Sequence, residues 1–132
     1  MLAEKNTQLE LLTAFLHDAR WWKQALGYIE TETQFIGQLL NARIYKENVP
    51  NLFERLQNFK LELETNSRET KNLMKETAGY EEQLRRILEG KDSSPHNDYL
   101  ENHKEFKDRF EEFYIDFNDY KTRVLNYIGG ML

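Results

Sequence analysis

Apolar residues recur along this chain at alternating spacings of three and four, in three separate segments. With Leu12 at heptad position a, the first segment puts Leu12, Ala19, Leu26, Thr33 and Leu40 at a, and Phe15, Trp22, Ile29 and Ile36 at d. The spacing returns after Pro50 through Leu52, Leu56, Phe59, Leu63, Asn66, Thr70, Leu73, Thr77, Tyr80, Leu84 and Ile87. It returns again after Pro95 through Tyr99, His103, Phe106, Phe110, Phe113, Phe117, Tyr120, Val124 and Tyr127. A seam of this length predicts three long helices, each with one apolar stripe turned toward other helices.

The residues between the seams agree with that reading. Thr7 and Glu10 have capping-box spacing, which predicts a start for the first helix. Pro50 interrupts the register, and Asn51 with Glu54 three residues later is a suitable cap for the second helix, with Asn48 as the other candidate. Gly90 marks a stop, Ser94-Pro95 a new N-cap and first turn, and Gly129-Gly130 the last end. The expected architecture is all-α: one domain over 1–132, with helices at about 7–46, 51–89 and 95–128 forming an antiparallel up-down-up bundle, open to completion by dimerisation. A break of the first helix at Gly27 or Gly37 is the structural alternative. Long heptad helices with a Trp in the first make the plan similar to spectrin-type three-helix repeats. The resemblance is architectural and implies no function.

Helix 1 differs from the other two in its outer positions. Its c positions are Ala14, Trp21, Tyr28, Phe35 and Ala42, its g positions include Leu11, Ala25 and Leu39, and its e positions include Leu9, Leu16 and Ile44. Its apolar arc therefore covers roughly 250°, where a helix facing one core needs little more than about 100°. The second helix has Arg55, Glu62, Glu69 and Glu76 at g, and the third has Glu105, Glu112 and Asp119 at c. Those two helices need one buried face; the first is built for two. Trp21, Ala25, Tyr28, Phe35 and Leu39 are the expected interface, filled by helix 1 of a second copy or by a helical partner protein.

Composition narrows the classes without naming one. Apolar residues make up 39% and charged residues 31%, with a mean hydropathy of -0.81, which suits a thin bundle better than a thick globule. A net charge of -5 argues against nucleic acid as a partner. No apolar run is long enough to span a membrane, and Met1–Asn6 do not begin a signal peptide. There is no cysteine, in keeping with a cytoplasmic address.

Candidate chemistry is sparse. His103 alone of three histidines sits on a seam and is expected to be a hydrogen-bonded core residue; no Glu-x-x-His pair accompanies it. Reflecting the chain about its two connections brings Thr33, Asn66 and Tyr120 to one level, a polar layer expected to fix helix register. No phosphate loop, calcium loop or nucleophile set is present, so no catalytic, metal or cofactor site is expected. The expected function is a non-enzymatic interaction, scaffold or chaperone-like module that self-associates through helix 1. Two other readings are a ligand-binding bundle using the interior around His103, Phe106 and Phe110, and a peripheral membrane protein laying helix 1 on lipid.

Overall fold

The computed structural model describes residues 2–42, 49–90 and 96–130, with side chains placed for 7–42, 49–90 and 100–130. Over these the chain forms three helices, α1 (Leu2–Leu40), α2 (Leu52–Leu88) and α3 (His96–Gly129). It is an all-α three-helix bundle. α1 passes Gly27 and Gly37 without a break, which removes the alternative of four shorter helices.

The ends of α1 differ from the expected 7–46. It begins at Leu2, so Thr7 lies inside the helix instead of capping it. It closes at Leu40, where the Ala42 N–H tightens onto the Leu39 carbonyl (3.2 Å) and the Asn41 side-chain amide donates to the Gly37 carbonyl (2.9 Å). Residues 43–46 of the expected extension lie outside the described residues, as do Asn48 and Ser94-Pro95.

Asn51 precedes α2 as expected but does not cap with its side chain. It adopts a left-handed conformation (φ 59°), and only its carbonyl serves the helix, accepting from Arg55 N–H at 2.9 Å. At the other end Gly90, at φ 74°, reaches back to the Ile87 carbonyl and stops α2. α3 runs one residue past the expected 128 before Gly130 closes on Asn126.

Pairs that meet between helices give their directions. Arg20 meets Glu81 while Gly37 lies beside Leu63, so α2 runs against α1. Tyr80 meets His103 while Arg123 meets Glu62, so α2 also runs against α3. α1 and α2 bring their backbones together along much of their length, whereas α3 stands further off. Side-chain size accounts for the difference. Ala19, Thr33, Thr70 and Thr77 are buried on α1 and α2, and each of these threonines donates its hydroxyl to the carbonyl four residues earlier in its own helix at 2.6–2.7 Å. They need no partner across the bundle, so the two helices can close up. α3 instead buries Phe106, Phe110, Phe113, Phe117 and Tyr120, a layer of rings that holds its axis away.

Candidate functional site: the outer face of α1 and a buried Tyr-His-Asp chain

The second apolar face of α1 remains open. Trp21, Tyr28 and Phe35 are 53%, 71% and 56% exposed, on successive heptads of one helix. Their position follows from the register: a and d point into the bundle and leave c facing outward. The g residues behave differently. Ala25 and Leu39 are half-buried and pack against the core, because the g flank of α1 is the side that α3 covers. Trp21 also leans that way, meeting Phe110 edge-on at 5.4 Å and Tyr114 at 6.2 Å. Beside it lies a surface groove of about 230 Å³ between α1 and α3, lined by Trp21, Ala25, Tyr28, Glu32, Tyr114 and Asn118 among others.

Charge is placed around this face rather than on it. Arg20 and Lys23 turn toward Glu81 of α2 at 3.6 and 3.5 Å, and Glu32 binds Lys121 of α3 at 3.0 Å. Gln24, Thr31, Gln34 and Gln38, all exposed, surround the aromatic row. The face is apolar at its centre, with Gln24, Thr31 and Gln38 along one border and Asp18 and Glu32, each paired to α3, along the other.

The three residues of the expected polar layer are close in level but not bonded to one another. Asn66 and Tyr120 line the same groove, and the Glu32–Lys121 pair sets Thr33 near that height. The Thr33 hydroxyl goes to Ile29 of its own helix at 2.7 Å. Tyr120 instead crosses to α2, donating to the Phe59 carbonyl at 2.7 Å in a buried position. Burial, followed by the nearby Glu62 carboxylate, pushes the Tyr120 phenol well above its ordinary range, so it stays a donor. This phenol on a backbone carbonyl is one of the links that hold α3 in register with α2.

The most structured polar group is one that sequence reading did not assemble. His103 is only 5% exposed, yet both ring nitrogens are engaged. Tyr80 of α2 contacts Nδ1 at 2.6 Å, and Asp18 of α1 contacts Nε2 at 2.9 Å. The Asp18 carboxylate can only accept, so Nε2 carries the hydrogen and Nδ1 accepts from the Tyr80 hydroxyl. All three helices are tied through one neutral imidazole. Its ring is stacked on Phe15 at 3.7 Å and flanked by Trp22 at 5.0 Å. Burial holds the imidazole below its ordinary pKa, only partly offset by Asp18; burial, then Asp18, pushes the Tyr80 phenol up. With both nitrogens occupied and the faces covered by rings, this histidine is arranged as a structural tie and presents no free nitrogen to a substrate.

The signal for that tie was present in the sequence. The same reflection about the two connections that levels Thr33 with Asn66 also levels residues 16–18 with Tyr80 and His103. Asp18 falls at g, which on a wheel drawn for α1 alone is an outer position. Of the rings considered for an interior pocket, Phe106 and Phe110 lie 5.0 and 5.9 Å from Trp22. His17 is exposed, and the side chain of His96 lies outside the described residues.

Among the described residues, no group of three or more His, Asp and Glu side chains is placed to hold a metal ion, and no helix is long and apolar enough to cross a membrane. No protein-family model, curated protein or solved structure matches this chain.

Proposed function

We propose that this protein is a non-enzymatic, cytoplasmic helical-bundle module for protein interaction, and that it associates with a second copy of itself through the outer face of α1. The exposed row Trp21, Tyr28 and Phe35 carries this reading. An aromatic side chain buries about 150–250 Å² when fully covered, so these three leave roughly 400 Å² of ring surface in water on each copy. A stable interface takes about 800 Å² per partner. The row would supply half of that, and Gln24, Thr31, Gln38, Leu39 and Tyr114 border it closely enough to supply the remainder.

Two-fold dimers are the commonest assembly of soluble proteins, which favours a second copy as the occupant. Each chain carries a net charge of -5, a repulsion that burial of the aromatic row has to outweigh. The absence of cysteine fits the reducing compartment in which this association is proposed to occur.

Absolute mass in solution, measured across a hundredfold range of concentration, tests the reading. The expected mass is twice 15.9 kDa at the upper end, falling toward one chain on dilution. Trp21→Glu with Tyr28→Glu should shift the protein to monomer with its helical circular dichroism unchanged, since neither residue is buried. A wild-type chain that is monomeric throughout, or a double variant that keeps the wild-type mass, would overturn the proposal.

A further inference from the structure

A groove of about 550 Å³ lies between α2 and α3, near the start of one helix and the end of the other. Its α2 wall carries Arg55, Asn58 and Glu62, and its α3 wall carries Arg123 and Asn126. The spacing along each helix produces this set. Arg55, Asn58 and Glu62 are three and four residues apart and so share one flank of α2, just outside the buried Phe59. Arg123 and Asn126 share a flank of α3 in the same way.

The charges on the two walls are unequal. Arg123 meets Glu62 across the groove at 3.2 Å and also holds Asp119 of its own helix at 3.1 Å. Arg55 has no acidic partner and no side-chain hydrogen bond among the described residues. Two guanidinium groups thus face one carboxylate, which makes the groove locally positive in a chain whose net charge is -5. Arg55 is also held in position: its guanidinium lies 4.9 Å from the Tyr127 ring centroid and 5.8 Å from that of Phe59. A guanidinium resting on a ring keeps its N–H edge for an acceptor, and a planar fork already in place loses less freedom on binding. Asn58, one turn along α2, and Asn126, next to Tyr127 on α3, add amide donors to the same groove. Neither amide is hydrogen-bonded within the protein among the described residues.

We propose that this groove binds a small organic monocarboxylate, with its carboxylate on the N–H edge of Arg55 and with Asn58 and Asn126 donating to it. The site shares no residue with the outer face of α1 and does not depend on self-association. Charge selects the class of anion. Guanidinium forks match carboxylate and phosphate alike. A phosphate monoester carries about -1.5 to -2 at pH 7 and would have to sit beside Glu62, whereas a monoanion matches the one uncompensated positive charge. The volume is more than a bare ion fills and falls in the range of about 300–1,000 Å³ typical of small-molecule sites.

Benzoate is the first probe, and benzamide has the same shape without the charge. Followed by nuclear magnetic resonance, benzoate should saturably shift the Arg55 Nε–H and the side-chain amides of Asn58 and Asn126, with a Kd of about 1 mM. Benzamide should bind at least about tenfold more weakly, and inorganic phosphate more weakly than benzoate. Arg55 is exposed, so Arg55→Gln should keep the helical circular dichroism while weakening benzoate at least about tenfold. Arg55→Lys, which keeps the charge and loses the fork, should fall between the two. No saturable shift with benzoate, an equal response to benzamide, or wild-type affinity in Arg55→Gln would each overturn the proposal. So would shifts spread over lysines and arginines of the whole surface, which would mean an adventitious ion only. Phosphate binding as tightly as benzoate would overturn the assignment to a monocarboxylate.

Discussion

Replacing His103 by Phe keeps a planar ring between Phe15 and Trp22 but removes both of its hydrogen bonds. Asp18 is half exposed and recovers water at little cost, whereas the half-buried Tyr80 hydroxyl loses its acceptor. A polar group stranded in this way costs about 1–2 kcal/mol. Tyr80→Phe strands the other partner, leaving Nδ1 of a buried imidazole unpaired, at about the same cost. The double variant removes donor and acceptor together and leaves rings against rings, so it should be less destabilised than the two singles combined by about 1–2 kcal/mol. Urea unfolding followed at 222 nm measures all four corners of this cycle. The pH dependence gives a second readout. Because the folded imidazole titrates below the ordinary histidine value of 6.5, the unfolded chain binds more protons between those two values. Stability therefore rises with pH across that window and is lost as pH falls through it, by up to about 1.4 kcal/mol per unit for one proton. The groups facing His103 are Asp18 from α1, Tyr80 from α2 and Lys107 on α3 itself; Asp18 opposes the depression and Lys107 adds to it. His103→Phe should flatten this slope. Singles that cost nothing, or a double that equals their sum with an unchanged pH slope, would show that the three groups do not act as one unit.

Other perturbations separate the remaining contributions. Gly79→Ala, at an exposed helical site with nothing within 4 Å of the added carbon, should stabilise the chain by about 1 kcal/mol and raise its melting temperature by about 4 °C. Tyr127→Phe should leave stability unchanged or raise it, because the Tyr127 hydroxyl is buried with no hydrogen-bond partner among the described residues; a loss above about 1 kcal/mol in thermal unfolding would mean that it has one. Tyr120→Phe removes the bond to the Phe59 carbonyl and should cost about 1–1.5 kcal/mol, with α3 amides gaining exchange rate before those of α1.

Periodicity carried most of the fold. The a and d residues of α1 from Leu12 to Leu40 are buried, as are the phenylalanines of α3, because a heptad seam has only one way to face a bundle. Helix ends were less legible. Thr7 has good cap chemistry but Leu2 starts the helix, and Asn51 serves α2 with its carbonyl where its side chain was expected. The outer row of α1 could be read directly, since the exposure of Trp21, Tyr28 and Phe35 depends only on their wheel position. Ala25 and Leu39 could not, because their burial depends on which flank α3 takes, and periodicity along one helix does not say. The tie at His103 required pairing residues 18, 80 and 103 from three segments, and a wheel drawn for each helix alone hides it.

The two anchoring levels, Asp18–Tyr80–His103 near one end and Tyr120–Phe59 toward the other, are 17 positions apart on α3, roughly 25 Å along the axis. The two levels share no hydrogen-bond partner and lie far beyond the range at which neighbouring substitutions couple, so substitutions at the two should add almost without coupling. The bundle can then open from either end in separate cooperative stretches, each gated by its own polar anchor. The row from Trp21 to Phe35 lies between these gates. A second copy bound there would grip the stretch that both openings must cross, slowing amide exchange most at mid-helix and joining two independently fraying ends into one unfolding event.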